Sequence, residues 1–126
     1  MKKIFLFAGI FLSLNLSAQN KSGVSRILFV LDASGSMQGT WIENSRWDIA
    51  RKVLGNVTDS LQKHATNLEM ALRVYGHQID FSLEDCSDTK LEVPFSANSG
   101  ELIKERLKTL VSRGVTPIAL SLQKAA

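Results

Sequence analysis

The chain has 126 residues, 44% of them hydrophobic, with 15 Lys plus Arg against 12 Asp plus Glu, a formal charge of +3. This composition is that of one globular domain at most and excludes a disordered, collagen-like or low-complexity chain. The single cysteine, Cys86, excludes an intrachain disulfide framework and a cysteine-rich zinc site.

Lys2 and Lys3 precede an apolar run over residues 4–16, and Ser17, Ala18 and Gln19 follow. A basic start, an apolar stretch and a small residue before a polar segment predict a secretory signal peptide over residues 1–18, cleaved after Ala18. The run is short of the ~20 apolar residues that a membrane helix needs, so no span is expected after cleavage. The two lysines carry most of the basic excess; without residues 1–18 the charge is +1 over 108 residues. No Lys/Arg cluster remains to hold a phosphate backbone, which argues against nucleic-acid binding. An exported protein, periplasmic, secreted or on the cell surface, is the expectation.

Residues 19–25 are polar and read as a leader. Ile27-Leu28-Phe29-Val30-Leu31 is a run of apolar, strand-forming residues, predicting a strand buried on both faces at the centre of a parallel sheet. It runs into Asp32-Ala33-Ser34-Gly35-Ser36-Met37, a loop of small and polar residues. From about residue 42 to 64 the period becomes helical. Trp47, Ala50, Leu54, Val57 and Leu61 share a face with Val53 beside it, and Gly55 marks a candidate break. Residues 69–75 predict a second strand, and residues 76–89 a solvated acidic loop holding Asp80, Glu84, Asp85 and Asp88.

Leu91-Glu92-Val93-Pro94-Phe95 alternates, and Pro94 predicts an edge strand. Asn98 and Glu101 have capping-box spacing, ahead of a helix with Leu102, Ile103, Leu107, Leu110 and Val111 on its inner face. Residues 112–115 form a turn. Thr116-Pro117 then reads as a cap and first residue of a last helix bearing Ile118, Ala119 and Leu122. The order predicts an α/β domain of Rossmann type, in which ligands bind at the carboxyl ends of the strands.

Asp32 stands at such an end. Asp32, Ser34 and Ser36 are three short oxygen side chains at alternate positions, and Gly35 lets the loop curl so that they converge. One carboxylate with two hydroxyls suits a hard cation such as Mg2+ rather than zinc. With a single carboxylate, the cation would seek a further anionic ligand. The competing reading is an ordinary strand-to-helix turn with a capping Ser or Asp.

Asp-x-Ser-x-Ser after an apolar strand resembles the metal-ion-dependent adhesion site of the von Willebrand factor A (vWA) family. Gly114-Val115-Thr116-Pro117 resembles that family's Gly-x-Thr loop. Leu72-Arg73-Val74-Tyr75-Gly76-His77, Asp85-Cys86-Ser87-Asp88-Thr89 and Val93-Pro94 resemble a bacterial exported branch. The resemblance covers residues 26–126. It implies a Rossmann-like vWA fold: a mostly parallel central sheet flanked by helices, with one antiparallel edge strand. It implies Mg2+, or Mn2+ or Ca2+ in its place, ligated by Ser34 and Ser36. Asp32 would bind directly or through water, and Thr116 would switch between direct and water-mediated contact. An Asp or Glu of a protein partner would complete the coordination. Met37 and Trp41, close in sequence to this loop, read as an apolar rim for a partner, with a core contact as the alternative for Trp41. The family's second aspartate has no counterpart before residue 126, so residues 26–126 are expected to be the N-terminal part of a longer, here incomplete, domain.

The resulting expectation is a binding module and no enzyme. The alternatives are a structural vWA-like domain without a working metal site, and an aspartate-nucleophile phosphotransferase. Against the last, position 34 is Ser where a second acid would serve as acid/base. No Gly-x-Ser-x-Gly elbow or phosphate loop occurs. His64, at a helix end, and His77, after a strand, are read as structural. Cys86 either pairs beyond residue 126, the favoured choice, or stays free and buried.

Overall fold

The computed structural model describes residues 23–126. The predicted signal peptide and most of the predicted leader fall outside the described residues. The elements run β1 (Ser25–Asp32), β2 (Thr40–Trp41), β3 (Asn44–Ser45), α1 (Arg46–His64), β4 (Leu68–Tyr75), β5 (Thr89–Ser96), α2 (Ser99–Thr109) and α3 (Ile118–Gln123). The main sheet has the order β1-β4-β5. β1 lies parallel to β4, in register from Ser25 opposite Leu68 to Asp32 opposite Tyr75. β5 lies antiparallel on the other side of β4, with register shifts around Leu72. The mixed α/β architecture and the antiparallel edge strand carrying Pro94 are as expected.

The most buried strand is β4, not β1. Met70, Leu72 and Val74 are at most 1% exposed, whereas Ile27 to Leu31 are only half-buried. Among the described residues β4 has a strand on each side and β1 has one, which accounts for the difference. Ile27, Phe29 and Leu31 share the face of Met70, Leu72 and Val74, their register partners. Against this face pack Trp47, Leu54 and Leu61 of α1 and Ile103 and Leu107 of α2, with Leu110 just beyond it. Short α3 lies against β4 and β5. No helix among the described residues is long and apolar enough to cross a membrane.

Helix α1 begins at Arg46 rather than near residue 42. The Ser45 hydroxyl oxygen accepts the Asp48 amide at 3.0 Å and donates to the Asp48 carboxylate at 2.7 Å. This Ser-x-x-Asp cap was legible in the sequence. Residues 40–45 instead form the β2–β3 hairpin, with Ile42 at φ 63°. Gly55 does not break the helix. The inner face turns toward Thr58, fully buried with its hydroxyl on the Gly55 carbonyl at 2.9 Å, and leaves Val53 and Val57 exposed.

Two further helix starts differ from expectation. Asn98 precedes α2, but its side chain caps nothing, and Glu101 pairs with Lys104 instead. Ser99 does the anchoring: its hydroxyl donates to Ser96 O at 2.7 Å and accepts the Met70 amide at 3.0 Å. Leu110 and Val111 lie beyond the helix, and Val111 is exposed. At α3, Pro117 occupies the cap position and Thr116 makes no cap. Its Ile118, Ala119 and Leu122 are exposed, and Ser121 is the residue it buries, hydrogen-bonded to Pro117 O at 2.8 Å.

Candidate metal site at the end of the first strand

β1 delivers Asp32 to the sheet's carboxyl end beside Tyr75, its register partner on β4. The Asp32 carboxylate accepts the Ser34 amide at 2.7 Å, which curls the loop back onto it. A 3-10 turn over Gly35–Gln38 follows, closed by the Met37 amide on Ser34 O at 3.0 Å. The curl brings the Ser34 and Ser36 hydroxyl oxygens to 3.1 Å. Ser34 is buried and Ser36 is exposed, so the pair opens toward solvent from one side.

The loop is held from behind by a distant segment. Ser112 donates its hydroxyl to Ser34 O, Gly114 O accepts the Gly35 amide at 2.8 Å, and Arg113 N reaches Ala33 O at 3.0 Å. Gly114 in turn donates to Gly76 O at 2.8 Å. These segments touch backbone to backbone. A Cβ on Gly76, which has φ +70°, would sit 2.5 Å from Val115 O and 2.9 Å from Ser34 Cα. One on Gly114 would sit 2.6 Å from Ile79 O. Both positions therefore require glycine. Thr116 is two residues past Gly114, so its segment arrives at the same corner. The Thr116 side chain is exposed and makes no hydrogen bond to Asp32, Ser34 or Ser36. The structure thus gathers Asp32, Ser34 and Ser36 directly and brings Thr116 only as far as its backbone.

Sequence reasoning missed Tyr75 as a neighbour of this site. Burial, and then the Asp32 charge, push its phenol up to about 12, so Asp32 faces a neutral hydroxyl. The signal was available: Asp32 and Tyr75 are the last residues of two strands expected to run in parallel. Among the described residues no group of three or more His, Cys, Asp or Glu side chains is arranged to hold a metal ion. Any cation here would rest on one carboxylate and on hydroxyls. The hydroxyl spacing tests the fit. The two hydroxyls share a hydrogen bond at 3.1 Å, a spacing that neighbouring oxygens of a hard-cation site also take: about 3 Å for octahedral ligands at ~2.1 Å, and about 2.8 Å within the equator of a seven-coordinate Ca2+ site. The spacing therefore fits Mg2+, Mn2+ and Ca2+ alike.

The loop holding this corner is not the solvated acidic loop expected. Asp88 is 1% exposed and accepts the Gln78 and Ile79 amides, each at 2.9 Å. Asp80 and Glu84 are exposed as anticipated. His77 is buried, with Nε2 2.7 Å from Glu92 and Nδ1 3.8 Å from Asp88, a structural role as read. His64 sits exposed in the last turn of α1. Cys86 is exposed, which excludes the buried alternative. Trp41 is 61% exposed and so is not a core contact, while Met37 packs partly against the core.

Comparison with solved structures decides the fold. The chain superposes on the crystal structure of the SpRpn10 VWA domain with a TM-score of 0.57 at 12% identity, over 81% of this chain and 49% of that one. The chain has a VWA-like fold. It spans about half the length of that structure. No protein-family model matches the sequence, and no curated protein matches it. At this identity the likeness concerns the VWA-like backbone alone.

Proposed function

We propose that this VWA-like chain is an exported, Mg2+-dependent protein-binding module that captures an acidic side chain of its partner. The observation that carries the reading is the pair of hydroxyl oxygens, Ser34 and Ser36, at 3.1 Å beside the single carboxylate of Asp32. Asp32, Ser34 and Ser36 would hold the cation, and Thr116 would join them from the segment docked at Gly114. The cation would supply Lewis acidity toward a carboxylate. Exposed Ser36 leaves the open side of the site to solvent, where a partner approaches. No residue is assigned a catalytic role. Residues 1–18 would direct export.

The test uses Mn2+ as a paramagnetic stand-in, followed by electron paramagnetic resonance on the full chain. Mn2+ is expected to bind, to be displaced by Mg2+, and to lose at least about tenfold in affinity in Asp32→Asn and in Ser34→Ala. Thr116→Ala should weaken binding less, because its hydroxyl makes no hydrogen bond to the other three groups. Mn2+ affinity left unchanged by both Asp32→Asn and Ser34→Ala would overturn the reading in favour of a metal-free structural domain. Amino-terminal sequencing of the exported product tests cleavage after Ala18.

A further inference from the structure

A cavity of about 260 Å³ opens where the end of α2 meets the turn after β4, and three cationic side chains stand in its wall: Lys90, Arg106 and Arg113. No run of basic residues marks them in the sequence, because each comes from a different segment. Among the described residues Glu92 is the one acid in the wall. Its carboxylate is buried and already accepts from Arg106, His77 and Lys90. Three cations against one spent acid leave the lining net positive. A basic residue at the end of a helix needs no explanation, since it offsets the helix dipole. That covers Arg106, in the last turn of α2, but not Lys90 on β5 or Arg113 beyond the helix.

The cations are fixed in place and keep protons to spare. Arg113 donates Nε to His77 O at 3.1 Å and Nη2 to Gln78 O at 2.8 Å, two neutral carbonyls. Arg106 donates Nε to Glu92 and Nη1 to the Thr109 hydroxyl at 3.1 Å. Among the described residues, Arg113 Nη1 and Arg106 Nη2 make no hydrogen bond, and Lys90 Nζ reaches Glu92 alone. Guanidinium forks and an ammonium held this way match the oxygens of a phosphate group. His77 adds an independent observation. It lines the same cavity with its side chain 4% exposed, and its Nδ1 has no hydrogen-bond partner, the Asp88 carboxylate lying 3.8 Å away. Buried polar atoms are nearly always paired, so an unpaired one in the wall of a cationic cavity points to a ligand. Growth of the sheet does not cover this place. Lys90 and Glu92 stand on β5, two strands from the open edge of β1, and Pro94 has no amide to offer a further strand.

We propose that this cavity binds a phosphate group, free or as the monoester of a small molecule, independently of any cation at Asp32. Arg106, Arg113 and Lys90 would meet its oxygens, and Leu110 and Val111 give the wall apolar surface for an ester's organic part.

The test titrates the isotope-labelled full chain with inorganic phosphate and with methyl phosphate, in chelator so that no divalent cation offers the anion another site. At pH 8 both probes are dianions, because their second pKa is about 6. Saturable shifts are expected in the Arg106 and Arg113 Nε–H signals and in the His77 ring, with sulfate competing and chloride at equal ionic strength not. Lys90→Gln should weaken phosphate about threefold or more, and Arg113→Lys about tenfold, since an ammonium cannot replace the fork. Lys108→Gln, at an exposed residue outside the cavity, should leave the affinity unchanged. Arg113→Lys also gives up bonds to His77 O and Gln78 O, so Lys90→Gln, at a side chain 51% exposed, decides the question if the Arg113 variant unfolds. Tighter binding of methyl phosphate supports the proposal with a monoester as the ligand, and equal or weaker binding supports it with free phosphate. Shifts that grow without saturating would overturn it. So would equal losses in Lys90→Gln and Lys108→Gln, which would mean a diffuse positive surface and no site.

Discussion

Replacing Glu92 with Gln should remove an acid-sensitive part of the stability of this fold. The Glu92 side chain is 3% exposed, which on its own would raise its pKa. Three donors outweigh that burial: Arg106 Nε at 2.6 Å, His77 Nε2 at 2.7 Å and Lys90 Nζ at 3.2 Å. Together they hold the carboxyl down at about 2, against 4.5 ordinarily. The folded pKa is the depressed one. The stabilisation is therefore complete above pH 4.5 and is lost as pH falls from 4.5 toward 2. Each pKa unit corresponds to about 1.4 kcal/mol, so the full shift would be worth about 3 kcal/mol. Lys90 and Arg106 are each more than a third exposed, and solvent screening brings this to about 2 kcal/mol. Urea unfolding at pH 7, 4.5, 3 and 2 checks it. Several surface carboxylates, Asp48, Asp59, Asp80 and Asp85, are also held low, so every variant will weaken in acid. The readout is the difference between wild type and Glu92→Gln, about 2 kcal/mol at pH 7 and near zero at pH 2. Parallel stability curves across the whole range would refute the reasoning.

Gly55→Ala should stabilise the protein by roughly 0.5–1 kcal/mol, because Gly55 is inside α1 and a Cβ there meets nothing within 4 Å. A thermal melt checks this, and a lowered midpoint would show that the helix needs glycine at that point. Gly76→Ala should have the opposite effect, a loss of roughly 2 kcal/mol or more, since the added carbon would sit 2.5 Å from Val115 O at a positive φ. Amide exchange should place the loosening at residues 33–36 and 113–115. Unchanged protection there would mean that the three segments are not mutually supported.

The parts of the fold legible in the sequence were those with short-range causes. An unbroken apolar run makes a strand at Ile27 to Leu31 whatever its neighbours, Pro94 marks an edge, and alternate spacing puts the Asp32, Ser34 and Ser36 oxygens on one loop. What escaped was what depends on partners far along the chain. The centre of the sheet is β4 because strands lie on both its sides, and nothing within Leu68–Tyr75 reports that β5 will fold back against it. Ser112 supports Ser34 across 78 positions. Asp88 looked like one acid among four, but it is buried with its carboxylate accepting the amides of Gln78 and Ile79, ten and nine positions away.

Those long-range ties bear directly on the candidate site. The Ser34–Ser36 loop is held in shape by residues 112–114, and these rest on Gly76 to Ile79. That turn in turn is held by the Asp88 carboxylate from within, and by Arg113, which donates to His77 O at 3.1 Å and Gln78 O at 2.8 Å. His77 is fixed by Glu92, and Glu92 by Arg106 of α2. A cation held by two hydroxyls and one carboxylate gains little from charge, so its affinity depends on how firmly the oxygens are kept about 3 Å apart. The polar cluster at Glu92 is thus part of the site's physics although none of its atoms touches the site. Glu92→Gln should accordingly weaken Mn2+ binding at pH 7 while leaving Asp32, Ser34 and Ser36 in place, and an undiminished affinity would show that the loop keeps its geometry through Gly35 and Ser112 alone.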